Sequence, residues 1–274
     1  MGTLYLVATP IGNLEDISAR ALRILREVRL IAAEDTRHTR KLLTHFDIHT
    51  PLTSYYEHNR YTKLDAVLGA LESGDVALVS DAGTPALNDP GYELVQAAIS
   101  HGHTITPIPG ACAPVAALVA SGLPSDAFLY LGYLPRKSSE RRRMLDTVAN
   151  LPYTLIFLET PHRLLDALTD LVAVLGDRPA AVARELTKLH EEIVRGSLQS
   201  VLAHFNAHEP RGEFTLVIGG AVLQSTVWNE EIMHAEIDKA LQSGESPSQV
   251  AVRLATESGW QKREVYRLVN LIAK

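Results

Sequence analysis

The sequence predicts an α/β protein with two α/β lobes, a mostly parallel sheet followed by a mixed sheet, and a small C-terminal helical domain. Over the first hundred residues, short apolar runs alternate with amphipathic segments, which is typical of parallel strands joined by crossover helices. A second series of strands then includes one closely spaced pair, and the last segment is predicted to be helical only. The predicted domains are residues 1–121, 122–222 and 229–274.

Composition supports a folded chain with more than one domain. Its 274 residues are 46% hydrophobic, which is enough to bury a sizeable core. A net charge of −6 argues against a surface coated with basic residues for indiscriminate nucleic-acid binding. The single cysteine, Cys112, excludes an intrachain disulfide and favours a reducing, cytoplasmic location. Prolines and a glycine interrupt the uncharged stretch Thr104–Pro124, so no membrane span is predicted.

The first lobe is predicted from four apolar runs and the amphipathic segments between them. The strands are expected at Leu4–Ala8, Leu30–Ala33, Val76–Ser80 and Thr104–Ile108. The helices are expected at Ile17–Val28, Leu64–Leu71, Pro90–Ser100 and Pro114–Ser121, where apolar residues recur at helical spacing.

An unusual loop follows each of these strands. The loops are Thr9–Asn13, Glu34–Arg37, Asp81–Pro85 and Pro109–Ala113. Any one of them alone would be interpreted as an ordinary turn. In open α/β sheets, however, ligands bind outside the carboxyl ends of the strands. Four such loops at one edge therefore predict a single ligand site.

The second lobe is predicted to begin after Pro124. Its strands are expected at Phe128–Tyr133, Thr154–Leu158, Ala180–Ala183, Glu191–Val194 and Phe214–Ile218, and its helices at Ser139–Ala149, Pro161–Leu175 and Leu198–His208. Only a short connection separates the third and fourth strands, which indicates an antiparallel pair and hence a mixed sheet.

The C-terminal segment is predicted as three short helices. They are expected at Ile232–Leu241, Ser248–Glu257 and Lys262–Ile272, and a glycine turn makes the last two similar to a helix-turn-helix. Residues 260–274 carry a local charge of +3 and residues 134–145 a local charge of +4. Either stretch is compatible with a phosphate contact, and equally with a solvated or packed helix face.

Familiar catalytic motifs are missing from the sequence. It contains neither a Gly-x-Gly-x-x-Gly fingerprint nor a P-loop, and its His101/His103 and His204/His208 pairs lack a third ligand at a metal-binding spacing. No metal site or nucleophile elbow is predicted. The loop Asp81–Pro85 offers instead a carboxylate, a glycine and a hydroxyl directly after a strand, which suits a ligand with amine and hydroxyl donors.

Seven motifs along the chain form an ordered string, at residues 8–17, 33–37, 80–91, 109–124, 157–163, 184–188 and 212–215. This string resembles the tetrapyrrole-methylase superfamily, and within it the branch that methylates the ribose 2′-oxygen of a cytidine in small-subunit (16S) ribosomal RNA. The resemblance runs from about residue 3 to residue 220. It implies a dimeric, two-lobed methyltransferase that binds S-adenosylmethionine in a cleft between the lobes, with small-subunit RNA or the assembled subunit as its partner.

The resemblance also implies which residues line the cofactor. From the first lobe these are Pro10, Asp81, Gly83, Thr84, Gly110, Cys112 and Ala113, and from the second lobe Leu158, Leu186 and Thr215.

Transfer to a ribose hydroxyl benefits from a base, since a hydroxyl is a poor nucleophile until it loses its proton. The charged loops offer Glu34, Asp35, Glu159, Glu185 and His190. Asp35 and Glu185 are the preferred catalytic candidates, because each follows a predicted strand beside a basic residue, although a structural ion pair would explain the same pattern. The candidates for binding RNA phosphate are Arg37, Arg163, Arg184 and Lys188.

Two alternative functions remain open on the sequence. One keeps the cofactor and exchanges RNA for a tetrapyrrole precursor, and the other is a non-catalytic RNA- or ribosome-binding module. The basic segments and the helical tail favour RNA, because a small macrocycle needs neither.

Overall fold

The computed structural model describes residues 1–56, 60–222 and 228–272. The chain divides into two compact units, Met1–Ala221 and Val222–Lys274. The larger unit contains both predicted sheets, which confirms the fold class. The division of that unit into separate domains at residue 121 stays a prediction.

The first sheet is parallel throughout. Its strands are β1 (Thr3–Val7), β2 (Leu30–Ala33), β3 (Leu52–Ser54), β4 (Val76–Val79) and β5 (Thr104–Ile108), in the order β3-β2-β4-β1-β5. The helices around it are α1 (Ala19–Glu27), α2 (Thr36–His45), α3 (Arg60–Ser73), α4 (Tyr92–Ser100) and α5 (Ala113–Ser121). Separate apolar clusters cover its two faces, so the strands are buried on both sides as parallel sheets require.

Two elements of the first lobe were absent from the prediction. The loop expected at Glu34–Arg37 ends at Asp35, and the chain continues directly into α2, for which Asp35 is the N-cap residue. The three-residue strand β3 adds an edge to the sheet beside β2.

The second sheet is mixed, as predicted. Its strands are β6 (Phe128–Tyr133), β7 (Thr154–Glu159), β8 (Pro179–Arg184), β9 (Glu192–Ser197) and β10 (Phe214–Ile218), in the order β6-β7-β10-β8-β9. Only β6 and β7 are parallel, and the predicted β8–β9 pair is antiparallel. The helices of this lobe are α6 (Ser138–Val148), α7 (Leu164–Leu175) and α8 (Leu198–Ala207).

Helix α5 connects the two lobes through its packing. It follows β5 of the first sheet, but Ala117 and Leu118 are buried against Ile156, Ala181 and Val217 of the second sheet. This packing of α5 on the second sheet holds the carboxyl edge of the first sheet against the second lobe.

The C-terminal unit contains α9 (Glu230–Gln242), α10 (Pro247–Ser258) and α11 (Lys262–Ile272). Met233, Ile237, Leu254 and Val265 are fully buried in a core of its own. Gly259 ends α10 with a φ of 72°, a left-handed conformation that glycine adopts without strain. No helix in the described part of the chain is both long and apolar enough to cross a bilayer.

Candidate functional site

The four loops after β1, β2, β4 and β5 are tied to one another by hydrogen bonds. Thr9 and Gly83 exchange backbone hydrogen bonds of 2.8 and 3.0 Å, and Gly83 permits this with a φ of 82°. The Thr84 hydroxyl donates to the carbonyl of Ala111 at 3.2 Å. The loops therefore form one structure at the carboxyl edge of the sheet, where the site was expected.

The loop after β2 is held by a reciprocal pair of carboxylate contacts. The backbone N–H of Asp35 donates to Asp81 Oδ1 at 3.0 Å, and the backbone N–H of Asp81 donates to Glu34 Oε2 at 3.2 Å. Each loop thus orients a carboxyl group of the other.

A cavity of about 260 Å³, which we call the acidic cavity, lies between these loops and the ends of β6, β7 and β10. Among the described residues, its ionisable lining consists of five carboxyl residues together with Cys112 and two tyrosines, without a lysine or arginine. The carboxyl residues are Glu34, Asp81, Asp89, Glu159 and Glu213. Such a wall favours a positively charged ligand.

Burial and neighbouring carboxylates raise the pKa of two carboxyl groups of this wall, Asp89 and Glu34. Burial, together with Glu34 and Asp81, raises the pKa of Asp89 to about 6, although a hydrogen bond with Ser80 opposes the shift. Burial raises the pKa of Glu34, and the nearby charges of Asp81 and Asp35 add to the effect. Perturbed carboxyl groups in a cleft are typical of functional sites.

Tyr130 and Tyr133 both line the acidic cavity, although they are three residues apart on β6. In a regular strand, residues at an odd spacing point to opposite faces. The β6–β7 register shifts between these two residues, and Gly132 there has a φ of 65°. The bulge therefore turns both tyrosines towards the cavity.

A second cavity, of about 340 Å³, adjoins the first, and we call it the adjoining cavity. Ile11, Asp81, Ala82 and Glu213 line both cavities. Its remaining walls come from the β1 loop, from the inner side of α2 and from Lys188, and they include the basic side chains His38, Lys41 and Lys188. Lys188 crosses close to Gly12, where a Cβ atom would lie 2.3 Å from the lysine Cγ.

The predicted cofactor residues fall into three groups. Those that line the acidic cavity are Asp81, Gly83, Thr84, Cys112, Ala113, Leu158 and Thr215. Pro10 lines the adjoining cavity. Gly110 packs against Ala8, and Leu186 belongs to the apolar cluster around α5, so these two support the walls from behind.

The preferred catalytic candidates, Asp35 and Glu185, line neither cavity. The Asp35 carboxylate pairs with Arg37 at 2.7 Å and accepts from its backbone N–H, and these hydrogen bonds hold its pKa well below the usual range. Glu185 accepts from Lys188 Nζ at 2.8 Å and from the backbone N–H of Glu213 at 3.0 Å. Both carboxylates are thus held in ion pairs outside the two cavities, and their catalytic role stays a prediction.

Of the four candidates for phosphate binding, Lys188 lines the adjoining cavity and Arg37 is exposed on α2. Arg37 is 87% exposed, and Lys188 lines the adjoining cavity while it pairs with Glu185 and Glu213. Arg163 instead pairs with the buried Glu159 at 3.2 Å and donates to the carbonyl of Leu134. Arg184 donates to the carbonyl of Arg211 and pairs with Glu192.

Asp89, Tyr130 and Tyr133 are site residues that the sequence did not single out. Asp89 lies inside the motif at residues 80–91, so its position was visible but its burial was not. The tyrosines depend on the bulge in β6, for which Gly132 was the only sequence signal.

Comparison with known proteins gives consistent matches along the chain. Residues 3–202 match the family model for tetrapyrrole (corrin/porphyrin) methylases. The protein named ribosomal RNA small subunit methyltransferase I is 47% identical in Halalkalibacterium halodurans, over 98% of this chain and 95% of the relative. Its counterpart in Synechocystis sp. is 48% identical, over 98% of this chain and 97% of the relative.

Solved structures share the fold at lower sequence identity. Diphthine synthase aligns with a TM-score of 0.60 and 14% identity, over 80% of this chain and 90% of its own. Uroporphyrin-III C-methyltransferase from Thermus thermophilus, complexed with S-adenosylhomocysteine, aligns with a TM-score of 0.55 and 22% identity, over 80% of this chain and 97% of its own.

Proposed function

Because this chain belongs to the tetrapyrrole (corrin/porphyrin) methylase family, we propose that it transfers a methyl group from S-adenosylmethionine to the ribose 2′-hydroxyl of a cytidine in small-subunit ribosomal RNA. The observation that carries the proposal is the pair of contiguous cavities, one walled by carboxylates and the other bordered by basic side chains. Relatives at 47–48% identity bear the name of a small-subunit RNA methyltransferase, which supports RNA as the acceptor.

The acidic cavity fits S-adenosylmethionine by charge and by hydrogen bonding. The cofactor supplies an electrophilic methyl group on a positively charged sulfonium. Asp81, Asp89 and Glu34 place negative charge around the cavity, and in a partly buried site such charges act more strongly than in water. Thr84 and Thr215 add hydroxyl groups to the same wall.

The adjoining cavity fits the acceptor nucleotide. Leu14 and Leu42 offer apolar surface to a base, whereas His38, Lys41 and Lys188 offer donors to the phosphate groups beside it. A tetrapyrrole carries several carboxylates but no phosphodiester strand. The basic border therefore supports RNA without excluding an acidic macrocycle, and the assay below distinguishes them.

Two carboxyl residues lie where a proton from the acceptor hydroxyl could be received. Asp81 and Glu213 line both cavities and so stand at the boundary between cofactor and acceptor. Bond formation to the hydroxyl oxygen releases that proton as the carbon–sulfur bond breaks. Positioning of the two reactants supplies much of the acceleration. In this proposal Asp35 and Glu185 orient the boundary residues and do not touch the reactants.

The function is tested by methyl transfer from radiolabelled S-adenosylmethionine to small subunits isolated from cells that lack the protein. We expect label in the ribosomal RNA, at the ribose of one cytidine by mass spectrometry. If only a tetrapyrrole precursor offered in its place becomes labelled, the acceptor is a tetrapyrrole and not RNA. If neither is labelled although the cofactor binds, the protein is a non-catalytic binding module.

The cofactor site has its own test. Asp81→Asn removes a wall charge while its amide oxygen still accepts from the Asp35 N–H, so calorimetry should show at least about tenfold weaker binding of S-adenosylmethionine, the loss expected when a hydrogen bond to a charged group becomes neutral. Asp146→Asn, an exposed carboxyl group on α6, is the control and should change nothing. Unchanged affinity for the Asp81 variant would contradict the site.

The proposal includes a homodimer that acts in the cytoplasm on RNA or on the assembled small subunit. Val115 and Val119 lie one turn apart on α5 and are 46% and 71% exposed, which gives an apolar surface suited to a second copy. Light scattering that returns the mass of a single chain would contradict the dimer.

A further inference from the structure

Helix α2 carries an exposed basic surface that the proposed reaction does not explain. Arg37, Arg40, Lys41, Thr44 and His45 line a shallow depression on it, and we call this surface the basic face of α2. Their spacing of three, four, seven and eight residues from Arg37 places them on one side of the helix. All five are exposed, and no acidic residue occurs within α2.

Most of this charge is not neutralised by the residues that the structure describes. Arg37 pairs with Asp35, but the described part of the chain shows no ion pair for Arg40 or Lys41. The basic run at residues 136–143 behaves differently. There Arg141 is buried and pairs with Asp170 at 2.5 Å, Arg142 pairs with the same carboxylate at 2.6 Å, and Lys137 pairs with Glu140 at 3.2 Å. The run on α6 is largely structural, whereas the charge on α2 is available to a ligand.

The basic residues in the first turn of α2 also destabilise the helix, because they lie at its positively charged end. A helix N-terminus carries partial positive charge and is stabilised by acidic residues in the first turn. In α2 the first turn contains Arg37 and His38 and no acidic residue, and only the N-cap Asp35 opposes them. Residues that oppose local stability are typical of functional surfaces.

The position of α2 relates its charge to the acceptor site. His38, Thr39 and Leu42 line the adjoining cavity, while Arg37, Arg40 and His45 border the outer depression. Lys41 lines both. The basic face extends from the mouth of the adjoining cavity for about 12 Å, at about 1.5 Å per residue from Arg37 to His45. That length is enough to contact more than one phosphate of a strand.

We propose that the basic face of α2 binds the phosphodiester backbone of the ribosomal RNA strand that flanks the acceptor nucleotide. This inference rests on the proposed function, because it takes the adjoining cavity as the acceptor site. Arg37, Arg40 and His45 contact successive phosphates outside the cavity, and Lys41 contacts the phosphate at its mouth. The contacts position the strand and carry no sequence information of their own.

The test compares the double variant Arg40→Gln/Lys41→Gln with the single variant Arg143→Gln, which removes an exposed arginine from α6. Binding to small subunits isolated from cells that lack the protein is measured at several salt concentrations. Loss of two phosphate contacts should weaken binding on the order of tenfold near 0.1 M salt and reduce the slope of log K against log salt by about 1.4, at about 0.7 per contact for a single strand. The control should keep the affinity and slope of the unmodified protein.

Further measurements separate the possible failures. Calorimetric affinity for S-adenosylmethionine should be unchanged in the double variant, which shows an intact fold, and the charge-preserving Arg40→Lys/Lys41→Arg variant should restore RNA binding. Normal RNA affinity and a normal salt-dependence slope in the double variant would overturn the role of α2. The proposed function would still stand in that case if the unmodified protein transfers methyl groups to the RNA. A loss seen with assembled subunits but not with protein-free RNA would assign the surface to a ribosomal protein and also overturn it.

Discussion

Asp89 shows how the carboxylates of the acidic cavity set the chemistry of one residue. It is held beside Glu34 and Asp81, and burial with these neighbours raises its pKa to about 6. A cationic ligand in the cavity favours the ionised form and lowers that pKa again. Binding and ionisation of Asp89 are therefore linked.

The linkage predicts a pH-dependent affinity for S-adenosylmethionine. Above about pH 6 Asp89 is already ionised in the free protein, so affinity is highest there. As the pH falls through 6, binding must expel a proton, and affinity should fall by up to about tenfold per pH unit. Calorimetry between pH 5 and pH 8 measures this. Asp89→Asn should bind more weakly at pH 8 and lose most of the dependence, and an unchanged pH profile in this variant would refute the assignment.

At the residue scale, several residues predicted to bind the cofactor line the acidic cavity, whereas the two predicted catalytic residues line neither cavity. Asp81, Thr84 and Thr215 were predicted because they follow strands or belong to recognisable motifs, and they line the acidic cavity. Asp35 and Glu185 were chosen because each stands beside a basic residue. That same neighbour neutralises each of them in the structure, and sequence alone does not show which side of the chain a pair faces.

At the scale of elements, the bulge in β6 is the feature on which the second-lobe wall depends. Gly132 has a φ of 65°, and a Cβ atom there would lie 2.4 Å from Nδ2 of Asn88. The bulge is thus formed against the loop of the opposite lobe. Its two tyrosines and Asn88 line the same cavity.

Gly132→Ala should therefore impair both stability and cofactor binding. The left-handed conformation costs a non-glycine residue about 1–2 kcal/mol, and Asn88 must also move. We expect a lower free energy of unfolding by about that amount and weaker binding of S-adenosylmethionine, measured by denaturant titration and calorimetry.

Gly69→Ala is the matched control, because Gly69 lies within α3 with no atom within 4 Å of the added Cβ. It should stabilise the protein by about 0.5–1 kcal/mol and leave cofactor binding unchanged. Equal behaviour of the two variants would show that the bulge has no role in the site.

The two elements that the prediction missed contain few apolar residues or are very short. Eight of the ten residues of helix α2 are basic or carry a hydroxyl group, and only Thr39 and Leu43 are buried, so few apolar residues mark it as a helix of the core. The strand β3 has three residues, none fully buried, which is too short for an alternation to appear. Both are stabilised by neighbours that are distant in the sequence.

At the scale of the whole molecule, the C-terminal unit has its own core and its own helix caps. Asn229 accepts from the backbone N–H of Ile232 at 2.8 Å, and Trp260 Nε1 donates to the carbonyl of Trp228 at 2.6 Å. The described residues that line the acidic and adjoining cavities all belong to the larger unit.

Truncation after Val222 should separate binding of S-adenosylmethionine from methylation of the RNA. We expect calorimetric affinity for S-adenosylmethionine to stay within about twofold, since the described residues that line the acidic cavity all belong to the larger unit and effects at independent sites usually add within about 0.3–0.5 kcal/mol, while methylation of small subunits falls. The full-length chain with Asp81→Asn is the opposite control, as it should lose cofactor binding first. An equal loss of cofactor binding on truncation would show that the C-terminal unit supports the larger unit structurally.

Helix α5 has a consequence for how the chain folds during synthesis. Its apolar residues Ala117 and Leu118 find their partners only on the second sheet, and the last of these, Val217, is made about 100 residues later. At about 5–20 residues per second, the helix waits on the order of 5–20 s for its cover. The ligand-binding edge of the first lobe is therefore completed late in translation, and an emerging chain that has not yet reached β10 presents an apolar surface to chaperones.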